Sequence, residues 1–134
     1  MNSSTFKNKE ITEYIVKWLK DYAETAHVKG FVIGISGGID SALTSTLCAM
    51  TGLPTLCIEM PIHQAASHVS RAQEHITYLK SKFNNVTNEI ADLTATFDLM
   101  SANLPKNEDV ARLNLTLANT RARLRMTTLY YFAG

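Results

Sequence analysis

One short stretch of the sequence, SGGIDS at residues 36–41, combines residue types that a packed core does not need. It lies between a wholly apolar run and a run of small residues that predicts a helix. Gly37 and Gly38 can adopt positive φ angles and carry no Cβ, so the backbone N–H groups around them can converge on an anion. The positive end of the following helix adds favourable charge, and Ser36 and Ser41 supply hydroxyl donors. The stretch therefore predicts a phosphate-binding loop.

Asp40 indicates what kind of phosphate site this is. A carboxylate beside a phosphate repels it unless a cation lies between the two, so Asp40 predicts bound Mg²⁺. Two familiar phosphate loops are excluded, because GxxxxGK[ST] is absent and Gly34, Gly37 and Gly38 do not form GxGxxG. A structural alternative stays open, in which Asp40 or Ser41 caps the helix and the glycines only turn the chain.

A second group of chemically suggestive residues lies near the C-terminus. From Val110 onward the sequence contains no acidic residue and four arginines, which are Arg112, Arg121, Arg123 and Arg125. On a helix, Arg121 and Arg125 share one flank while Arg123 points roughly the other way. Guanidinium groups match phosphate oxygens, so the cluster suits a phosphate-bearing substrate. A solvated helix face, or an interface whose acids lie on a partner, explains the charges equally well.

The elements that must position these residues alternate along the chain. Short apolar or β-prone runs predict strands at residues 31–35, 55–60 and 84–90. Apolar periodicity predicts helices from Ile11, over 40–50, 67–83 and 92–102, and from about Ala118 to the end. This alternation predicts an α/β fold with an open parallel sheet and helices on both faces. In such sheets, ligands bind beyond the carboxyl ends of the strands, where SGGIDS lies.

The apolar stripes of three helices predict which faces are buried. The stripe of the first helix consists of Ile11, Tyr14, Ile15, Trp18, Leu19 and Tyr22. The stripe of the third helix consists of Val69, Ala72, Ile76 and Leu79. The stripe of the last helix consists of Ala118, Ala122, Met126, Leu129 and Ala133. The aromatic run from Tyr130 to Phe132 is expected to lie in the core or at a dimer contact.

Composition and charge exclude several classes of protein. A net charge of +1 gives no global reason to bind nucleic acid or an anionic membrane, and no apolar run is long enough to span a bilayer. The two cysteines, Cys48 and Cys57, form no CxxC pair and fit packing in a reducing, cytoplasmic environment. His63, His68 and His75 have poor spacing for a zinc site.

Three segments resemble a known family. SGGIDS matches the SGGxDS pyrophosphate loop of N-type ATP pyrophosphatases, which have an adenine nucleotide α-hydrolase-like, Rossmann-like fold. NTRARLRM at residues 119–126 resembles the N-x-[KR]-A-R-x-R-M segment of NAD synthetases. IEMPIHQ at residues 58–64 falls where that family has a proline-containing, adenine-contacting stretch. Together the segments resemble ammonia-dependent NAD synthetases over about residues 11–134.

The resemblance implies a reaction and a set of site residues. Deamido-NAD, ATP and ammonia would give NAD, AMP and pyrophosphate through an adenylated intermediate, with no side chain assigned as acid, base or nucleophile. The residues implied to bind ATP are Gly34, Ile35, Ser36, Gly37, Gly38, Ile39, Asp40 and Ser41. Asp40 is implied as the Mg²⁺ ligand, and Asn119 and Arg123 as contacts of deamido-NAD.

The sequence departs from the family in its length. Family members are about twice as long, so residues 1–134 are expected to form a single domain that lacks the C-terminal part of the family domain. The resemblance also implies a homodimer, with no nucleic acid or membrane partner. Two alternatives remain open: another SGGxDS adenylating enzyme, such as a tRNA-modifying or GMP synthetase-like one, or a non-catalytic module that binds an adenine nucleotide.

Overall fold

The computed structural model describes residues 3–134, with side chains described from residue 7 onward. Helices and strands follow in the predicted order. They are α1 (Ser3–Thr25), β1 (Phe31–Gly34), α2 (Ile39–Met50), β2 (Thr55–Glu59), α3 (Ala66–Lys82), β3 (Val86–Ile90), α4 (Thr94–Asn103) and α5 (Val110–Ala133). The expectation of a single domain over residues 1–134 includes two residues that lie outside this description.

The strands form one parallel sheet in the order β1-β2-β3. Gly34 pairs with Ile58, and Ile58 pairs with Glu89, so the carboxyl ends of all three strands lie at one edge. Right-handed crossovers place α2 and α3 on the same face of the sheet. Helix α5 packs against β1, and α1 packs against α2 as an outer layer. The prediction of an open parallel α/β sheet is confirmed.

The core lies between the sheet and the α2–α3 layer. The central strand β2 is the most enclosed, with Cys57 and Ile58 fully buried, as its apolar sequence predicts. The predicted inward face of α3 is confirmed for Ala72, Ile76 and Leu79, which are buried, while Val69 is half-buried. Burying a side chain such as that of Leu79 contributes about 2 kcal/mol.

The predicted start of the last helix is wrong. Helix α5 begins at Val110 rather than near Ala118, because Asp109 is its N-cap and accepts a hydrogen bond from the Arg112 amide at 3.2 Å. Asn107 in turn accepts a bond from the Asp109 amide at 2.9 Å. An aspartate directly before a helix is a recognised start signal, and it adds two turns to the helix.

The predicted buried stripe of α5 is wrong as well. Ala118, Ala122, Met126 and Ala133 are exposed, and only Leu129 of that set is half-buried. The partly buried flank carries leucines instead, and it consists of Leu113, Leu117, Leu124 and Leu129. The aromatic side chains of Tyr130 and Tyr131 are 72% and 80% exposed, so the prediction of a core position fails for both. The cause is that β1 supports only one flank of this long helix.

Helix α1 also leaves part of its predicted apolar stripe uncovered. Ile15 and Leu19 are half-buried, whereas Ile11, Tyr14, Trp18 and Tyr22 are more than half exposed. The apolar stripe of α1 is wide, and α1 packs against α2. Because α2 contacts one side of the stripe, the other side stays exposed. On the uncovered side the rings of Trp18 and Tyr22 stack with their centroids 5.4 Å apart.

Candidate functional site

The SGGIDS segment forms a loop closed by its own serines. The Ser41 hydroxyl lies 3.2 Å from that of Ser36, accepts a hydrogen bond from the Ser36 amide at 3.2 Å and donates to the Gly38 carbonyl at 3.3 Å. The Ser36 hydroxyl accepts from the Gly38 amide at 3.2 Å. These bonds fix the curvature of the backbone between β1 and α2, so the loop has a defined shape before any ligand binds.

Gly37 is required by its surroundings, whereas Gly34, which precedes the segment, lies near the flexible end of a side chain. Gly37 has a φ of +86°, and a Cβ there would lie 2.6 Å from the His68 carbonyl oxygen at the start of α3. A Cβ on Gly34 would lie 2.8 Å from the Met60 methyl group. The loop is therefore packed closely against α3 on one side and against the end of β2 on the other.

Asp40 lies in the first turn of α2 and is exposed. The N-cap of the helix is Gly38, and no side chain makes a capping hydrogen bond there. The structural alternative, in which Asp40 or Ser41 caps the helix, is therefore wrong. The Asp40 carboxylate stands at the rim of the loop, where it is accessible to a cation bound to phosphate oxygens.

A cavity of about 640 Å³ opens beside the loop, at the carboxyl ends of the strands. Gly34, Ile35 and Ser36 form one wall, and α3 forms another. The segment that follows β2 contributes Met60, Pro61, His63 and Gln64. The volume of this cavity falls within the range of small-molecule sites, and the cavity lies where α/β sheets bind ligands.

A second, smaller pocket of about 380 Å³ lies beside the loop. It is bordered by Gly37, Gly38, Ile39, Arg71 and His75.

Arg125 is the arginine that reaches the cavity. Its Nε donates to the Met60 carbonyl at 3.0 Å and its Nη2 donates to the Gln64 side-chain oxygen at 3.1 Å. Burial, with a smaller contribution from nearby Arg121, lowers the pKa of the Arg125 guanidinium. Sequence reasoning placed Arg125 in the cluster without giving it a role, although its helical phase matches that of the packed residue Leu117.

The two residues implied to contact deamido-NAD lie elsewhere on α5. Asn119 and Arg123 are both exposed and do not line the cavity. Arg121 lies over the ring of Phe97 on α4, with its guanidinium carbon 5.5 Å from the centroid. The arginine cluster therefore divides by helical phase: Arg121 and Arg125 contact neighbouring elements, and Arg123 projects from the surface.

Glu59 lies in the IEMPIHQ stretch, but the sequence analysis gave it no role of its own. It ends β2, lines the cavity and is 6% exposed, and burial raises its pKa. Its Oε1 atom has no hydrogen-bond partner among the described residues. An acid at the end of an otherwise apolar strand was the available signal, because such a position meets the ligand edge of a parallel sheet.

His63 and His75 each contact a neighbouring polar side chain, and both cysteines are buried. His63 Nε2 lies 2.6 Å from Asp98 and His75 Nε2 lies 2.8 Å from the Ser45 hydroxyl. Among the described residues no three His, Cys, Asp or Glu side chains are placed to hold a metal ion together. Cys48 and Cys57 are free and buried, and burial raises the pKa of each thiol to about 11, so both are packing residues as predicted.

The fold is an α/β domain of the Rossmann-like, adenine nucleotide α-hydrolase type, with a cavity at the carboxyl ends of its strands. The family model described as NAD synthase matches residues 11–134. The chain belongs to the NAD synthase family. No helix within residues 3–134 is long and apolar enough to cross a membrane.

Individual relatives and solved structures agree with this assignment. The chain is 34% identical to the NH(3)-dependent NAD(+) synthetase of Finegoldia magna, covering 92% of this chain and 48% of the relative. It is 38% identical to the protein of the same name from Mesoplasma florum, covering 93% and 49%. The solved structure of NMN synthetase from Francisella tularensis aligns with a TM-score of 0.80 at 31% identity, over 93% of this chain and 49% of that one. The chain thus spans about half the length of these relatives.

Proposed function

We propose that the chain supplies the ATP-binding part of an amide-forming ligase that converts deamido-NAD, ATP and ammonia to NAD, AMP and pyrophosphate. One observation carries the proposal: the serine-closed SGGIDS loop borders a nucleotide-sized cavity in a chain of the NAD synthase family. The loop amides and the hydroxyls of Ser36 and Ser41 would hold the ATP phosphates, and the segment Met60–Gln64 would border the base.

The proposed chemistry needs positioning and positive charge more than a reactive side chain. An oxygen of the nicotinate carboxylate attacks the α-phosphorus of ATP and pyrophosphate leaves, which gives an acyl adenylate. Ammonia then attacks the carbonyl carbon, AMP leaves with one carboxylate oxygen, and a proton is lost from nitrogen. Negative charge accumulates around phosphorus in the first step, so loop amides and cations stabilise its transition state.

The residues present fit a magnesium ion held jointly with the nucleotide. Mg²⁺ in such sites uses one or two carboxylates, substrate phosphates and water, and Asp40 offers one exposed carboxylate at the loop rim. When bound there, the ion neutralises phosphate charge during adenylation.

Asn119 and Arg123 remain our proposed contacts for deamido-NAD. Both are exposed on α5, outside the cavity that would hold ATP. A dinucleotide bound along this surface could place its nicotinate end toward the loop. The proposal separates the two substrates by helical phase, with Arg125 on the ATP side and Arg123 on the deamido-NAD side.

The neighbour from Francisella tularensis supports a second candidate product. That protein is an NMN synthetase, so nicotinate mononucleotide is the alternative carboxylate substrate for this chain. Either reaction would use the same ATP loop. The two differ in whether the surface around Arg123 must accommodate an adenylate half of the substrate.

A product assay tests the proposal. The chain, and the protein encoded by its full reading frame, are incubated with ATP, Mg²⁺ and ammonium, and with deamido-NAD or nicotinate mononucleotide in separate reactions. We expect NAD and pyrophosphate in equal amounts from deamido-NAD in the full protein. Preferential amidation of the mononucleotide would establish the second candidate. ATP binding without amidation of either substrate would favour another adenylating enzyme, or a binding module.

We also propose a homodimer and a cytoplasmic location. The dimer is supported by the exposed aromatic side chains on α1 and α5, among them Tyr14, Trp18, Tyr130 and Tyr131. The location is supported by two free thiols, Cys48 and Cys57. Sedimentation equilibrium tests the dimer directly: a monomer at micromolar concentration contradicts it.

A further inference from the structure

Glu59 lines the large cavity, and one of its carboxyl oxygens is buried without a partner among the described residues. The residue is 6% exposed, and its Oε1 atom makes no hydrogen bond to any described residue. Buried polar atoms in native proteins are almost always paired, because leaving one unpaired costs about 1–3 kcal/mol. A ligand that supplies a hydrogen-bond donor would remove this cost.

The sheet places Glu59 beside the phosphate loop. Ile35, at the start of the loop, donates its amide hydrogen to the Ile58 carbonyl at 2.8 Å, so Glu59 stands next to the point where β1 becomes loop. Side chains alternate along a strand, so Glu59 shares a face with Cys57, which belongs to the same core cluster as Ala72 of α3. Ala72 and Glu59 both line the large cavity.

Other acceptors on this wall already have partners. The Met60 carbonyl accepts from Arg125 Nε, and the Gln64 side-chain oxygen accepts from Arg125 Nη2. The Glu59 carbonyl accepts from the Ala91 amide at 2.8 Å. The side-chain atom Oε1 of Glu59 is therefore the buried acceptor at this position that has no donor among the described residues.

We propose that Glu59 binds the ribose of the nucleotide by accepting a hydrogen bond from the 2′-hydroxyl group. The proposal rests on the proposed function, which places the phosphates in the loop. Ribose is the next group along the nucleotide, and the strand beside the loop is where it would lie. In dinucleotide sites with a GxGxxG loop, an acidic residue about 20 residues after the loop holds the ribose 2′-hydroxyl. This chain has a different glycine loop, but Glu59 ends the neighbouring strand at a similar distance from Gly38.

The electrostatics of the cavity agree with this role. A fully charged carboxylate so close to the phosphate loop would repel the nucleotide. Burial raises the pKa of Glu59, which favours the neutral form and weakens the repulsion. A carboxyl group accepts a hydrogen bond from a hydroxyl in either protonation state.

The test measures, by calorimetry, the affinities for ATP and for 2′-deoxy-ATP. The proteins compared are the unsubstituted chain and the variants Glu59→Leu and Glu59→Gln. The ligand control is 3′-deoxy-ATP, and the variant control is Glu89→Gln, which alters an exposed acid on the neighbouring strand. We expect the unsubstituted chain and Glu89→Gln to prefer ATP over 2′-deoxy-ATP about tenfold. In Glu59→Leu the preference for ATP should fall to less than twofold. Glu59→Gln keeps a hydrogen-bond acceptor, so its preference should lie between that of Glu59→Leu and that of the unsubstituted chain.

Equal affinities of the unsubstituted chain for ATP and 2′-deoxy-ATP would overturn the assignment, and this result needs no variant to fold. An undiminished preference in Glu59→Leu would overturn it too. Failure of the unsubstituted chain to bind ATP at all is a separate result: it contradicts the proposed function, and the ribose assignment falls with it.

Discussion

Arg125 Nε and the Met60 carbonyl oxygen lie 3.0 Å apart and join two segments that are 65 residues apart in the sequence. The bond fixes the main chain directly after β2, at the wall of the cavity. The same guanidinium holds the side chain of Gln64 at 3.1 Å. Helix α5 therefore shapes the proposed nucleotide site, although the phosphate loop lies at the other end of the sequence.

Replacing Arg125 by alanine should disturb both the site and the stability of the fold. Loss of two hydrogen bonds from a half-buried cation predicts a decrease of about 1–3 kcal/mol in the free energy of unfolding. We expect ATP affinity to fall about tenfold, because the wall at Met60 loses its anchor. Urea unfolding and calorimetric titration measure the two effects. Arg112→Ala, at an exposed position on the same helix, is the control and should change neither by much.

Gly37 and Gly52 form a matched pair for testing the packing of the loop. Both have positive φ, +86° and +78°, but a Cβ at Gly52 meets nothing within 4 Å, whereas one at Gly37 meets the His68 carbonyl oxygen at 2.6 Å. Gly52→Ala should cost about 1 kcal/mol from backbone conformation alone. Gly37→Ala should cost more and also weaken ATP binding. Equal losses of stability in urea unfolding would show that the contact with α3 does not constrain the loop.

Asp40→Asn tests the proposed cation site without disturbing the fold. Asp40 is exposed and makes no capping bond, so the free energy of unfolding should change by no more than the helix-dipole contribution of about 0.3–1 kcal/mol. We expect Mg²⁺ to strengthen ATP binding in the unsubstituted chain and to have little effect in the variant. Asp21→Asn, an exposed substitution on α1, should behave like the unsubstituted chain. An undiminished Mg²⁺ effect in Asp40→Asn would remove this residue from the cation site.

The burial of Glu59 predicts a specific dependence of stability on pH. Burial raises its pKa in the folded chain above the ordinary unfolded value of about 4.3. The folded state therefore holds this proton more tightly, and that stabilising contribution is complete below pH 4 and is lost as pH rises through the raised pKa. Glu59→Gln should thus gain stability relative to the unsubstituted chain between pH 4 and pH 8. Urea unfolding at several pH values checks this: a constant difference between the variant and the unsubstituted chain over that range would contradict a raised pKa.

The parts of the fold that sequence alone could predict were those with a strong local signal. The apolar runs of β1 and β2, the glycine loop and the inward face of α3 are each specified by a few adjacent residues. The predicted start of α5 is too late although Asp109 marks the true start, because the apolar stripe on which that prediction rests begins at Ala118. That stripe failed because the sheet supports one flank of α5, a fact of tertiary packing that periodicity does not contain.

The candidate site, like the fold, could be predicted from sequence only where its residues are close together in the chain. Of the predicted loop residues, Gly34, Ile35 and Ser36 line the large cavity, Gly37, Gly38 and Ile39 border the smaller pocket, and Asp40 and Ser41 line neither. Glu59 and Arg125 were not foreseen as parts of one cavity, because they meet only through the parallel register of the sheet and the packing of α5. The roles of Asn119 and Arg123 stay predictions.

The most direct measurement follows the oxygen atoms of the nicotinate carboxylate during turnover. Deamido-NAD labelled with ¹⁸O in that carboxylate is converted by the full reading-frame protein with ATP, Mg²⁺ and ammonium, and the products are analysed by mass spectrometry. If the carboxylate attacks the α-phosphorus of ATP at the SGGIDS loop, AMP acquires one ¹⁸O atom and pyrophosphate acquires none. Label in pyrophosphate or inorganic phosphate, or NAD formed with unlabelled AMP, would contradict adenylation at this site.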